Sequence, residues 1–156
     1  MYCIGNGQLD QLKLDRLVGA LNCMHDQQAV MIGGGAELET VVRRLTPTEC
    51  ERLQGFPDGW TDIGEWTDTK GKVHKESSDS ARYKALGNSI CLPFWFWLLR
   101  RISATYERPA TMGSLFDGIG GFPLCWERCN GPGTARWASE IEEFPIAVTK
   151  YHFGEE

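Results

Sequence analysis

Residues 112–141 read M-G-S-L-F-D-G-I-G-G-F-P-L-C-W-E-R-C-N-G-P-G-T-A-R-W-A-S-E-I. An apolar run that ends at Phe116 breaks into the glycine-rich turn 117–121, and a helix-like segment follows it. A second apolar run then ends at Glu140. Strand, glycine turn, helix, strand and acid is the layout of a nucleotide-binding half-site. The stretch therefore predicts a βαβ unit within an α/β fold.

Each part of this stretch has a physical role in binding a nucleotide. Glycines allow a sharp turn and let a ligand approach backbone N–H groups without a Cβ in the way. The helix that begins there offers unpaired N–H groups and the positive end of its dipole. Glu140 stands 20 residues after Gly120, the spacing that brings a carboxylate to ribose hydroxyls. A purely structural glycine turn has the same pattern, and this stretch alone leaves both interpretations open.

The length and composition indicate one ordinary globular domain. The chain has 156 residues, of which 42% are hydrophobic and 24% charged. Its longest apolar block, residues 90–99, has about half the length that a membrane helix needs. Met1 is not followed by the basic and apolar segments of a signal peptide. We therefore expect a cytoplasmic protein with no membrane segment.

The six cysteines show no C-x-x-C pair, so reduced thiols are expected in a cytosolic chain. Cys125 and Cys129 are spaced to share one face of a helix, where a metal pair is conceivable. No His or third Cys lies close by in the sequence, which favours two partly buried thiols. The sequence thus predicts no metal site.

The net charge of −5 is unevenly distributed along the chain. Residues 41–110 hold 11 basic and 9 acidic side chains, and both flanking regions are acidic. A protein that grips DNA by itself usually has a strongly basic surface. On charge alone, an ordinary solvated face is therefore the favoured interpretation of the middle region.

A short, well-capped helix is predicted after residue 46. Thr46 is a natural N-cap, Pro47 suits the first helical position, and Glu49 is placed to close a capping box. Gly55 suits the C′ position, and Pro57 prevents the helix from continuing. The two residues just before this segment are candidates to hold a phosphate or a partner loop: Arg43 and Arg44.

Residues 60–78 form a polar insertion, with Trp60 and Trp66 as expected anchors at its base. Its composition of Thr, Asp, Lys, Gly and Ser predicts a mobile loop.

Three further helices are predicted. The first is capped by Asp79 or Ser80 and ends at Gly87. The second, residues 94–102, is apolar nearly all round, which predicts a largely buried helix. The third covers residues 144–153.

Three blocks of this sequence together resemble the DNA (cytosine-5)-methyltransferases. R-R-L-T-P-T-E-C-E-R-L-Q-G-F-P-D at 43–58 is similar to the ninth motif of that family, and R-Y-K-A-L-G-N-S-I at 82–90 to the tenth. S-L-F-D-G-I-G-G-F at 114–122, with A-S-E-I at 138–141, is similar to the first and second motifs. The resemblance implies part of a Rossmann-like, S-adenosylmethionine-dependent methyltransferase fold.

The resemblance also implies roles in a pocket for S-adenosylmethionine. Phe116 would lie against the adenine, the backbone of 118–121 would wrap the methionine moiety, and Glu140 would accept the ribose hydroxyls. Asn88 and Ser89 would close the pocket. The implied cofactor-binding residues are Phe116, Asp117, Gly118, Ile119, Gly120, Gly121, Glu140, Ile141, Asn88 and Ser89. Arg43 and Arg44 would brace the region that recognises the DNA target.

Three segments follow from this interpretation. Residues 1–40 form an irregular segment, a possible remnant of the target-recognition region. Residues 41–105 are the helical region of the ninth and tenth motifs, and residues 106–156 are the first βαβ half of the cofactor domain.

The sequence departs from the family pattern in two ways. The ninth and tenth motifs precede the first here, whereas they come last in the family, so the order is permuted. The family attacks cytosine from a Cys in Pro-Cys-Gln and uses a Glu in Glu-Asn-Val; neither motif occurs in these 156 residues. The sequence thus predicts the front portion of a permuted enzyme, of phage or restriction–modification type, without a catalytic residue and inactive alone.

The complete enzyme would act on double-stranded DNA, and a following segment or a second polypeptide would carry the catalytic motifs. One alternative is a non-catalytic remnant, and another is one subunit of a split methyltransferase. A dinucleotide-binding oxidoreductase is a remote alternative, because G-x-G-G lacks the third glycine of the dinucleotide fingerprint.

Overall fold

The computed structural model of the protein describes residues 2–4, 29–32, 41–108 and 110–154. Within these ranges the chain mixes helices with small sheets, as an α/β fold requires. The strands are β1 (Tyr2–Ile4), β2 (Ala29–Ile32), β3 (Val41–Arg44), β4 (Trp66–Thr67), β5 (Val73–His74), β6 (Met112–Leu115) and β7 (Ala135–Ser139). The helices are α1 (Pro47–Gln54), α2 (Asp79–Gly87), α3 (Leu92–Ser103), α4 (Gly121–Asn130) and α5 (Glu143–Phe153).

The first sheet is antiparallel, with strand order β1-β2-β3. Tyr2 pairs with Met31, and Val30 pairs with Arg43. Residues 1–40 were expected to be irregular, and the structure differs there because two of their segments are strands. The rest of that predicted segment lies outside the described residues.

Helix α1 has the caps that its sequence predicts. The Thr46 hydroxyl accepts the N–H of Glu49, and the Glu49 carboxylate accepts the N–H of Thr46 in return. Gly55 ends the helix in the left-handed conformation, with φ of 85°. A Cβ there would lie 2.7 Å from the ring of Pro93, so both the turn and the packing require glycine.

The polar insertion, expected to be a mobile loop, contains a short hairpin. Strands β4 and β5 pair antiparallel, with Trp66 opposite His74, and the two rings stack 4.0 Å apart. The Asp68 carboxylate accepts the N–H groups of Lys70 and Lys72, which closes the turn between the strands. Side-chain to backbone bonds of this kind are local, and composition alone does not reveal them.

Helices α2 and α3 lie where they were predicted, with small shifts at their ends. Ser78 caps α2, one residue before the predicted cap. The expectation that α3 is largely buried is wrong: Leu92 and Leu99 are buried, but Phe94 is 58% and Trp97 52% exposed. Helix α3 packs along α4 on one face, and its first turn lies against Gly55. An apolar composition all round the helix therefore does not mean a neighbour on every side.

Strands β6 and β7 are parallel neighbours joined through α4, which makes a βαβ unit. The ring of Trp137 lies directly over Gly113, where a Cβ would have no space. Leu86, Leu92, Ile119, Cys125 and Val148 are fully buried in the core that joins this unit to α2, α3 and α5. No helix in the described ranges is long and apolar enough to cross a membrane.

Candidate functional site

The carboxyl ends of β6 and β7 meet at one edge of the parallel pair. Leu115 is in register with Ser139, and the N–H of Asp117 donates to the carbonyl of Ser139 over 3.0 Å. The residues that follow the two strands, Phe116 and Glu140, therefore leave the sheet at the same edge. Ligands of open α/β sheets bind at this edge.

The Glu140 carboxylate closes the glycine turn against the end of β7. Its Oε2 accepts the N–H of Gly118 over 2.6 Å, and its Oε1 accepts the N–H groups of Ile141 and Glu142. Partial burial on its own would raise the pKa of this carboxyl, but the three N–H donors outweigh it and hold the pKa below its usual value. Glu140 is thus an anion at neutral pH, with acceptor capacity left on Oε2.

Side chains from distant parts of the chain hold the backbone of the glycine turn. The Trp60 indole donates to the carbonyl of Ile119 over 2.8 Å, and the Thr149 hydroxyl donates to the carbonyl of Gly118 over 3.2 Å. Gly120 adopts φ of 81° and lies against the ring of Phe153, so it also needs the absence of a Cβ. The turn is therefore preformed.

Two apolar side chains flank this turn and face solvent. Phe116 directly follows β6, and Ile141 directly follows Glu140. Each of the two side chains is 84% exposed. Phe116 has φ of 54°, the only positive value of a non-glycine residue in the described ranges. Exposed apolar groups at the mouth of a site offer surface to a planar, partly apolar ligand.

Asp117 is nine-tenths buried and has an acceptor to spare. Its Oδ1 accepts a short hydrogen bond from the Ser114 hydroxyl, whereas its buried Oδ2 has no hydrogen-bond partner among the described residues. Burial raises the pKa of this carboxyl and the charge of Glu140 adds to the rise, whereas the Ser114 hydroxyl and the backbone N–H of Gly120 oppose it. An orphaned buried oxygen of this kind calls for a donor from a ligand or water.

Asn88 and Ser89 lie at the end of α2, beside the start of α4. The contact with α4 is made by the next residue, Ile90, which packs against Gly121. A Cβ added at Gly121 would lie only 2.9 Å from Ile90 Cγ1. The turn that carries Asn88 therefore adjoins the glycine segment, far away in the sequence. Asn88 itself is exposed.

A cavity of about 540 Å³ opens beside β7, between α4 and α5. Asp117 and Glu140 line it, and they are the two members of the predicted cofactor set that do so. Trp137, Ser139, Thr149, Lys150 and His152 also contribute to its wall. The other predicted residues lie at the sheet edge or at the α2 end, outside this wall.

Arg43 is engaged with its own neighbouring helix. Its guanidinium makes two hydrogen bonds to the Glu49 carboxylate, of 2.7 and 2.8 Å, and one to the carbonyl of Arg44. Arg44 is exposed at the end of β3. Arg43 thus fixes strand β3 to the capping box of α1.

The two cysteines of α4 differ in environment. Cys125 is fully buried, and this burial raises the pKa of its thiol to about 11. Cys129 is half-buried. No group of three or more potential metal ligands occurs in the described part of the chain.

Sequence reasoning missed the groups that hold the site from a distance. Trp60 was expected to be an anchor, but its bond to Ile119 spans 59 positions. Thr149 was not singled out, and neither was His152, which stacks on Trp60 at 3.5 Å and whose Nε2 donates to the Trp60 carbonyl over 2.8 Å. In the sequence, Trp60, His152 and Thr149 are two aromatic residues and one small hydroxyl residue. Such residues are common in any core, so nothing in the sequence marked these contacts.

The sequence model of one protein family, the C-5 cytosine-specific DNA methylases, matches residues 18–104 of this chain. This match covers more than half of the chain and includes α1, α2 and α3.

Three curated proteins illustrate the similarity. The DNA N-6-adenine-methyltransferase of Escherichia phage P1 is 41% identical over 85 residues, which cover 42% of this chain and 11% of that protein. The type II methyltransferase M.BanI of Aneurinibacillus aneurinilyticus is 43% identical over 56 residues, covering 36% of this chain and 10% of that one. The type II methyltransferase M2.BsuMI of Bacillus subtilis (strain 168) is 28% identical over 114 residues, with coverage of 72% and 25%. The chain thus spans about a tenth of the length of the first two relatives.

Proposed function

The chain belongs to the C-5 cytosine-specific DNA methylase family, and on this premise we propose that it forms the methyl-donor-binding portion of a DNA (cytosine-5)-methyltransferase that uses S-adenosylmethionine. The observation that carries the proposal is the joint end of β6 and β7. There the Glu140 carboxylate fixes the N–H of Gly118 between two exposed apolar side chains, Phe116 and Ile141.

The residues present fit the donor group by group. Glu140 would accept a ribose hydroxyl on Oε2, and Phe116 with Ile141 would cover the adenine. The orphaned Oδ2 of Asp117 would accept from an amino group of the donor. When bound, S-adenosylmethionine supplies an electrophilic methyl group, and this chain's residues orient its carrier and shield it from water.

The packing of α3 along α4 supports a Rossmann-like arrangement in which the motifs follow one another in permuted order. Helix α3 packs along α4 with Trp95 edge-on to Phe122 at 4.9 Å, and the Ser103 hydroxyl bonds the Asn130 side chain. Helix α3, which follows the tenth-motif block, and the first-motif unit are therefore neighbours, which a short connector can join. Double-stranded DNA would be the partner of the complete enzyme, in a restriction–modification or phage setting.

The purified chain should bind S-adenosylhomocysteine, the product that the methyl donor leaves, but it should not transfer a methyl group. We expect saturable heat with S-adenosylhomocysteine in titration calorimetry, and no incorporation of labelled methyl into duplex DNA. Both cytosine-containing and adenine-containing duplexes belong in the assay, since the phage P1 relative is named an N-6-adenine-methyltransferase. Turnover on either base would refute the predicted inactivity, and absence of any heat would favour the non-catalytic remnant.

A dinucleotide-binding oxidoreductase is tested in the same titration. NADH fluorescence should stay unchanged when the chain is added.

A further inference from the structure

The turn between β7 and α5 carries Glu140 and Ile141, and within it the Glu140 carboxylate accepts the N–H groups of Ile141 and Glu142. Ile141 is 84% exposed, so its packing does not hold the backbone. The next three residues, 142–144, are instead each contacted by a different residue of the segment 66–84. This gives a turn whose position depends on a part of the chain more than 50 residues away.

The three contacts differ in chemistry. Glu143 receives two hydrogen bonds from Thr69, one from the N–H over 2.8 Å and one from the hydroxyl over 2.5 Å. Glu142 forms an ion pair with Lys84 over 2.8 Å. Phe144 lies edge-on to Trp66, with ring centroids 5.4 Å apart.

Of these contacts, the Thr69–Glu143 pair is best suited to set the position of the turn. The Lys84–Glu142 pair is about half exposed at both ends, and such pairs are readily screened. The Trp66–Phe144 contact is apolar packing without a fixed direction. The two bonds to Glu143 are exposed as well, but their donors are uncharged, and the bonds are directional and end on a charged acceptor. They also hold the pKa of that carboxyl below its usual value.

The hairpin can act as a support because its own geometry is fixed. Asp68 closes its turn through the N–H groups of Lys70 and Lys72, and its carboxylate lies 3.3 Å from His74. His74 stacks in turn on Trp66, which packs against the core. Thr69, next to Asp68, is therefore presented to α5 from the turn of a braced hairpin.

We infer that Thr69 is a positioning residue: through Glu143 it fixes the turn that carries Glu140 and Ile141, and thereby sets the affinity for the methyl donor. The inference rests on the proposed function, since it assigns a support to that same site. It gives the insertion between the ninth-motif and tenth-motif blocks a task in donor binding, which its polar composition did not suggest.

The test uses the whole chain and compares four variants. Thr69→Val keeps the shape and removes the hydroxyl, whereas Thr69→Ser restores it. Glu143→Ala removes the acceptor. Thr67→Val makes the same change as the first variant at an exposed position of the same hairpin, and it serves as the matched control.

Two measurements are made on each variant. Calorimetry with S-adenosylhomocysteine gives the dissociation constant, which Thr69→Val and Glu143→Ala should raise by about three- to tenfold, the equivalent of one or two hydrogen bonds. Thr69→Ser and Thr67→Val should stay close to the original protein. Hydrogen exchange of residues 140–144 should be faster in the first two variants only, with exchange of α1 and α4 unchanged.

The outcomes separate the two proposals. If the original chain binds and Thr69→Val binds equally well with unchanged exchange at 140–144, this inference is overturned and the proposed function stands. If the original chain gives no saturable heat, the proposed function fails and takes the role in donor binding with it. Faster exchange in Thr67→Val to the same degree would also overturn the inference, because the effect would then belong to the hairpin in general.

Discussion

Glu51 shows how far one buried carboxylate reaches. It is fully buried, and its oxygens accept the N–H of Gly59 over 2.7 Å and the N–H of Thr61 over 2.9 Å. The Glu51 carboxylate also accepts hydrogen bonds from the Thr61 hydroxyl and, over 3.3 Å, from the Arg82 guanidinium. One side chain thus ties α1 to the following turn and to α2.

Replacing Glu51 by Ala should destabilise the fold by about 3 kcal/mol, because the N–H of Thr61 would be left buried without an acceptor and the buried Arg82 would lose its hydrogen bond to this carboxylate. Urea denaturation followed by circular dichroism measures the change in the free energy of unfolding. Asp58→Ala, which removes an exposed partner of Arg52, is the control and should change little. Equal effects of the two substitutions would contradict the assignment.

The sequence revealed single residues only when their reason is local. Glu140 was singled out by its spacing from the glycine turn, and its carboxylate accepts the N–H of Gly118; its role in cofactor binding stays a prediction. Glu51 was not singled out, because an acid in an amphipathic helix is normally solvated. Thr69 and Thr149 were missed for a similar reason: their partners are far away in the sequence.

At the scale of elements, capping was predictable and burial was not. The ends of α1 were foreseen from Thr46, Glu49 and Gly55, since caps are short-range interactions. The burial of α3 was overestimated, because it depends on how many neighbours pack against the helix. The hairpin β4–β5 was missed because its two-residue strands are defined by ring stacking and by Asp68, not by an alternating pattern.

Helix α1 should lose part of its support in acid. The Arg43 guanidinium and the capping bonds to Thr46 lower the pKa of Glu49 from 4.5 to about 2. A carboxyl whose folded-state pKa is lowered contributes stability above its unfolded pKa, and this contribution is lost as the pH falls towards the folded value. The melting temperature of the original protein should therefore exceed that of Glu49→Ala at pH 6.

This difference in melting temperature should shrink between pH 4.5 and about 2. A pH series of thermal melts on both proteins measures it. A difference that stays constant over the whole series would show that the carboxylate charge is not what supports the helix.

At the scale of the whole molecule, motifs that are distant along the chain converge. The resemblance predicted that the tenth-motif turn and the glycine turn adjoin, and the contact of Ile90 with Gly121 is in keeping with this. The sequence indicated the two parallel strands of this unit, but it could not reveal that Trp137 and Leu115 are exposed on one face of the pair. Parallel sheets are normally covered on both faces, and the matches to the phage P1 and M.BanI methyltransferases cover about a tenth of those proteins.

The backbone of Phe116 implies a compromise between durability and ligand capture. A left-handed φ costs an L-residue roughly 1 kcal/mol, and a ring that is 84% exposed recovers little of it by packing. Asn tolerates this conformation better, so Phe116→Asn should raise the melting temperature or leave it unchanged, while it weakens binding of S-adenosylhomocysteine. Melting curves and calorimetry on the same preparation test this, and a joint loss of both properties would mean that the ring serves the fold itself. If Phe116→Asn weakens binding but does not lower the melting temperature, the aromatic side chain at this strained position serves the bound ligand and not the fold.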